Sequence, residues 1–186
     1  MSADVAGPDV SEALSALAAL SGEWEGTSRT WFEPDVLADE SPVRARIRPV
    51  GPPGDGGPVT GFVLYEYSGT FGGEGYEGVA ILGVEAHSGR FVSAWVDSMH
   101  QSTEIMQSRG AAPESAPASA PAPGGPPPLA VTGAYRDPQG GPDWGWRTEF
   151  RLDGPDRLTV TAYNIAPSGE EAKGVEAAYT RRSAAP

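Results

Sequence analysis

His100 closes the run Trp95-Val96-Asp97-Ser98-Met99-His100, and the only other histidine in the 186 residues is His87. A carboxylate three residues before an imidazole can orient the ring and leave its second nitrogen free as an acid or base near neutral pH. The same spacing also suits a hairpin turn, in which Asp97 and Ser98 start the turn and His100 bonds nearby backbone. The sequence leaves both readings open. His87 sits in the polar turn His87-Ser88-Gly89 and reads as solvated. Glu104 adds a carboxylate, so Asp97, His100 and Glu104 could form a mixed set. No HxH or HExxH spacing supports a metal there, and none is expected. There is no G-x-S-x-G elbow. Asp97, Ser98 and His100 are too close in sequence to fold easily into a catalytic triad.

A second group lies in Trp144-Gly145-Trp146-Arg147-Thr148-Glu149-Phe150, which alternates strictly. Trp144, Trp146, Thr148 and Phe150 share one face of a strand; Gly145, Arg147 and Glu149 share the other. If the aromatic face is internal, Arg147 and Glu149 are surface charges. If the charged face is internal, Arg147 becomes an anchor for an acidic or polar guest. Period two alone does not choose. Trp24, Tyr67, Trp95 and Tyr163 are candidate aromatic walls, with Asn164 just past Tyr163; core packing is the commoner role of strand aromatics. Ser68–Gly78 is rich in glycine but lacks the Lys and following helix of a phosphate loop. It reads as a flexible hairpin flap with Phe71 and Tyr76 as covering side chains.

These residues must be positioned by strands. Ten stretches are rich in Val, Tyr, Phe, Trp or Thr and bounded by turn residues. They are Glu23–Phe32, Val43–Val50, Val59–Tyr67, Gly78–Val84, Arg90–Asp97, Gln101–Ser108, Leu129–Arg136, Trp144–Leu152, Arg157–Tyr163 and Val175–Arg181. Short turns between them imply an antiparallel up-and-down order, and closing it into a barrel removes both edges. One helix precedes them. Val10, Leu14, Leu17 and Leu20 form a single apolar stripe, Asp9 and Glu12 have capping-box spacing, and Gly22 ends the run. This helix is expected to pack on the domain as a lid or plug.

The expected organisation is a flexible stretch at 1–8, one domain over 9–182, and a flexible end at 183–186. Gly51–Pro58 is too rich in Gly and Pro for regular structure. Ala111–Pro128 is low in complexity and is expected to be a disordered insertion between two strands of one barrel. Small residues recur in the strands: Gly26, Ser28, Gly61, Ala80, Ser93, Ala94, Thr148, Ala162 and Ala177. Beside the large aromatics they favour a hollow interior over a filled one.

Composition removes whole classes of function. Acidic residues number 25 and basic ones 13, for a net charge of −12. Nucleic acids and anionic membranes need concentrated Lys and Arg, so neither is an expected partner. With no Cys there is no disulfide, cysteine nucleophile or iron–sulfur cluster. The N-terminus carries acids where a secretion signal needs positive charge, so the cytoplasm is the expected location.

Leu20-Ser21-Gly22-Glu23-Trp24-Glu25-Gly26 resembles the G-x-W opening of calycin barrels, the lipocalin and fatty-acid-binding-protein kind. There the Trp closes the barrel bottom. Tyr65–Glu74, Trp95–His100, Trp144–Phe150 and Tyr163-Asn164-Ile165 are similar to the bacterial domain-of-unknown-function family 1579, over roughly residues 12–182. The resemblance implies a calycin-like fold and carries no activity. Nitrobindins, also calycin-like, hold haem through a His near the C-terminal end. Val175–Pro186 contains no His, so no cofactor is expected.

The sequence therefore predicts an all-β, ten-stranded calycin-like barrel with a short N-terminal helix, binding a small, partly apolar molecule. The candidate binding residues are Trp24, Tyr67, Trp95, Asp97, His100, Trp146, Arg147, Glu149, Tyr163 and Asn164. One alternative is an isomerase or cyclase using Asp97 and His100, or Glu149, in the cavity. The other is an assembly module with a filled core, dimeric through a barrel face.

Overall fold

The computed structural model describes residues 10–51, 53–54, 57–58, 61–100, 104–111, 129–137 and 140–183. Helix α1 (Ser11–Ala19) is followed by β1 (Gly22–Glu33), β2 (Val36–Pro49), β3 (Pro53–Gly54), β4 (Gly57–Pro58), β5 (Phe62–Phe71) and β6 (Glu74–Val84). Then come β7 (Phe91–Asp97), β8 (Met106–Arg109), β9 (Leu129–Tyr135), β10 (Trp144–Leu152), β11 (Arg157–Ile165) and β12 (Glu171–Arg181). Ten of the strands close into one antiparallel barrel in the order β1-β12-β11-β10-β9-β8-β7-β6-β5-β2. Every ladder joins chain neighbours except β1–β12, which closes the ring, and β2–β5, which steps over the small β3–β4 ladder.

The ten expected strands are the ten barrel strands, with shifted ends. β2 starts at Val36 rather than Val43. Residues Val36 to Pro42 pair with β1 alone, since pairing with β5 begins at Val43. On that one-sided stretch Pro42 is tolerated despite its missing N–H. β12 begins at Glu171, and its pairing with β11 shifts register between Ala162 and Tyr163, where Gly174 of β12 is left without a partner position. β8 begins only at Met106; Gln101–Thr103, expected to belong to it, lie outside the described residues. The Gly51–Pro58 stretch was expected to lack strands, yet Pro53 and Gly54 pair with Pro58 and Gly57. Most of the Ala/Pro tract, 112–128, also lies outside the described residues. The strands on either side of it, β8 and β9, are hydrogen-bonded neighbours.

The Gly-rich segment is a hairpin, as expected, but its strands run almost to the tip. β5 continues to Phe71 and β6 starts at Glu74, so only Gly72 and Gly73 turn the chain. Both have positive φ, 57° and 86°, which suits the twist of a two-residue hairpin.

The barrel bottom is sealed by α1. Leu17 and Leu20 are buried, and Val10 and Leu14 pack against the same cluster, so the apolar stripe faces the barrel as its spacing requires. The N-cap position is Val10, with no side-chain cap; Asp9 lies outside the described residues. Trp24 is fully buried and its indole N–H donates to the Leu20 carbonyl at 3.0 Å. Its cross-strand partner is Arg181, whose guanidinium lies 4.1 Å over the indole. Arg181 donates to the carbonyls of Ser21, Ala19 and Pro155. One side chain thus satisfies acceptors at the helix C-terminus, where cations are favoured. Outside, cross-strand pairs such as Arg29–Glu40 and Arg48–Glu66 carry the charge. Exposed pairs of this kind add little to stability.

Candidate functional site

Strand alternation decides which side chains meet inside. Above the sealed bottom, the inward faces enclose a cavity of about 80 Å³. At roughly 10–15 Å³ per water-sized probe, that is room for several waters or a small ring. Its small lining residues include Ser28, Ala80, Ser93, Thr148, Ala162 and Ala177, six of the nine small strand residues that favoured a hollow interior. Large residues at these positions would fill the space. Trp95, Trp146, Phe150 and four tyrosines supply the walls.

The polar corner is built on β7 and the turn after it. Asp97 is the last residue of β7 and is buried. Its Oδ1 accepts the backbone N–H of Met99 at 3.2 Å and that of His100, which is the turn expected from its position. Its Oδ2 faces the His100 Nδ1 at 2.8 Å and accepts the Tyr67 hydroxyl at 3.2 Å. The Trp95 indole N–H donates to the Tyr67 oxygen at 2.8 Å. The turn contacts and the contact with the imidazole thus use separate oxygens of one carboxylate. The carboxylate accepts only, so the neutral imidazole must carry its proton on Nδ1. Nε2 has no hydrogen-bond partner among the described residues.

A second polar patch is made by tyrosines. Tyr65 and Tyr179 hydroxyls are 2.9 Å apart in the interior. The pair holds two O–H hydrogens and makes one bond, so one hydrogen remains to be received elsewhere in the cavity. Tyr67 stacks on Tyr65 at 5.0 Å and meets Tyr76 edge-on at 6.1 Å. Burial raises the phenol pKa of Tyr65, Tyr67, Tyr76 and Tyr179 above 10, because desolvation disfavours phenolate. The glycines of the hairpin explain how two of these rings lie flat. Tyr67 faces Gly78 across the β5–β6 ladder, and Tyr76 faces Gly69. A Cβ on Gly78 would collide with the Tyr67 ring, and one on Gly69 would sit 2.9 Å from the Tyr76 ring. Two of the glycines thus make room for tyrosine rings.

The cavity leads to a cleft of about 510 Å³ at the open end of the barrel. Trp95, His100, Met106, Trp146, Thr30 and Val175 border both spaces and form the neck between them. The neck exists because the β7–β8 ladder stops at Trp95↔Met106, while β9 and β10 stay paired as far as Tyr135↔Trp144. Trp95 and Trp146 stack at 5.8 Å with planes 11° apart, and the His100 ring lies 5.8 Å from Trp146. Tyr135 meets Trp146 edge-on and donates its hydroxyl to Asn164 Oδ1 at 2.8 Å.

Six of the candidate residues come together here: Tyr67, Trp95, Asp97, His100 and Trp146 on the cavity, and Asn164 in the cleft. Four do not. Trp24 is part of the bottom seal. Arg147 and Glu149 alternate with the inward Trp146, Thr148 and Phe150, and so point outward. There Arg147 pairs with Glu149 and Glu171 and lies 4.1 Å over the Tyr163 ring, which is therefore also external. An internal arginine anchor is excluded by this geometry. Tyr65, Tyr135 and Tyr179 belong to the site and were not among the candidates. Tyr65 shares a face with Tyr67, which is a signal the sequence does carry; Tyr179 has no such neighbour to mark it. Among the described residues no three His, Asp or Glu side chains lie together in a way that could hold a metal, and Glu104 borders the cleft apart from the dyad. No described helix is long and apolar enough to cross a membrane.

A family model described as "Protein of unknown function (DUF1579)" matches residues 11–181, and the chain belongs to this family. The crystal structure of Rv2717c from M. tuberculosis is similar in fold. Its TM-score is 0.59 at 14% identity, covering 94% of this chain and 100% of that one. Among curated proteins none matches.

Proposed function

We propose that this protein binds a small, partly apolar molecule inside the barrel. The observation that carries the reading is the hollow interior: small side chains alternate with aromatics around a cavity that opens through an aromatic neck. Ligand sites share this make-up, mostly apolar walls with a few placed polar groups. A barrel serving only as an assembly module has no use for a cavity, since each unfilled volume lowers stability.

The test is reversible binding of a small hydrophobic fluorescent dye by the full chain, compared with Ala162→Phe. Ala162 lines the cavity and is buried, so the added ring takes the guest's space. We expect binding that weakens at least about tenfold in the variant while the circular dichroism stays unchanged. Equal binding by both proteins would place the dye elsewhere and remove the main support for this reading.

The Asp97–His100 contact favours a second reading, acid–base catalysis on the bound molecule. The buried carboxylate holds the imidazole with one nitrogen turned away from it, as a general base requires. Glu149 has no part in it, being on the outer surface.

A further inference from the structure

The neck holds a feature that narrows the class of guest. Among the described residues lining the cavity, Asp97 is the one acid and His100 the one imidazole, with no Lys or Arg. Asp97 accepts from the Met99 and His100 backbone and from the Tyr67 hydroxyl, and faces the His100 ring. His100 is a quarter exposed, borders both cavity and cleft, and gives its Nδ1 side to Asp97. In the neutral ring the nitrogen on the far edge, Nε2, is then a lone pair with no hydrogen-bond partner among the described residues, and the ring lies beside two parallel indoles. A guest that carries a donor can replace water on that lone pair, whereas a guest without one leaves it unmet. A guest with a carboxylate or phosphate would meet Asp97 without any fixed cation, since Arg147 lies outside the barrel.

We propose that the neck selects a neutral, flat, apolar ring bearing a hydroxyl, a molecule of the phenol class, whose O–H donates to His100 Nε2. This inference rests on the binding reading above. Asp97 acts in it as a positioning residue: it fixes the tautomer and makes no contact with the guest.

The experiment titrates the full chain with three single-ring probes: phenol, anisole and benzoate. Anisole keeps the ring and oxygen but lacks the donor; benzoate carries the charge. Phenol is expected to bind about tenfold more tightly than anisole, the order of one hydrogen bond with its acceptor left unmet in the alternative. Benzoate is expected not to bind. In His100→Phe the phenol preference falls to about twofold or less while anisole still binds. In Asp97→Asn it falls too, because an amide can donate as well as accept and no longer enforces one tautomer. Nitrogen NMR of the unmodified protein reads the tautomer directly and does not depend on the variants folding. A proton on Nδ1 is expected; a proton on Nε2 overturns the proposal. So does equal affinity for phenol and anisole, which leaves the binding reading standing. Binding of none of the three probes overturns the proposal as well, and the binding reading then stands or falls with the dye and Ala162→Phe.

Discussion

His100 and Asp97 are three residues apart, and their spacing was readable in the sequence; their surroundings were not. Nothing local says that Tyr67, thirty residues earlier, will deliver its hydroxyl to the same carboxylate. That contact depends on β6 lying between β5 and β7, a property of strand order. Arg147 shows the same limit from the other side. Alternation divides Trp144–Phe150 into two faces but does not say which is inner. The choice is made when the barrel closes, because two indoles and a phenyl ring gain more from burial than an ion pair does. The tyrosines lead to a prediction at this scale. Tyr65, Tyr67 and Tyr179 have folded-state pKa values raised above the ordinary 10 by burial. A raised pKa means that the folded state favours the protonated phenol. Its contribution to stability is whole below pH 10 and is lost as pH climbs above it. Absorbance titration should show these tyrosines ionising together with cooperative unfolding, well above pH 10. Phenolate from all six tyrosines near pH 10 in a still-folded barrel would contradict the described burial.

Elements were legible where composition and period agreed. The ten strands and the apolar stripe of α1 follow from alternation, turn residues and i, i+4, i+7 spacing. They failed where glycine and proline have more than one use. Glycine at Gly72 and Gly73 makes a turn, whereas at Gly69 and Gly78 it clears room for tyrosine rings inside a regular ladder. Read as composition, all four suggest a loop. Pro42 likewise lies inside a strand that reaches back to Val36, beyond the expected start at Val43. The bottom seal adds an element-scale prediction. Arg181 ties β12 to the end of α1 through three carbonyls and a cation–π contact with Trp24. Arg181→Met keeps the aliphatic stem but loses these bonds. It should cost about 2 kcal/mol in denaturant unfolding. Hydrogen exchange should rise first in α1. An unchanged midpoint with unchanged α1 protection would show that the helix is held by its apolar stripe alone.

At the scale of the whole molecule, family and fold agree: the family match runs from residue 11 to 181 and the barrel strands from Gly22 to Arg181. A barrel can be solid or hollow with the same topology, and this one differs at its two ends. One end is sealed by α1, Trp24 and Arg181. The other narrows to a neck at His100 and the paired indoles because β8 is only four residues long. The larger buried cluster includes Leu17, Leu20 and Trp24 of the first end, and the Asp97–His100 contact lies at the second. The most direct check on this account is native mass spectrometry of freshly purified protein, before and after incubation with a single-ring aromatic, set against the denatured mass. The account predicts a discrete non-covalent adduct that disappears on denaturation and is lost in Ala162→Phe. A bare mass under every condition, or an adduct unaffected by filling the cavity, would contradict it.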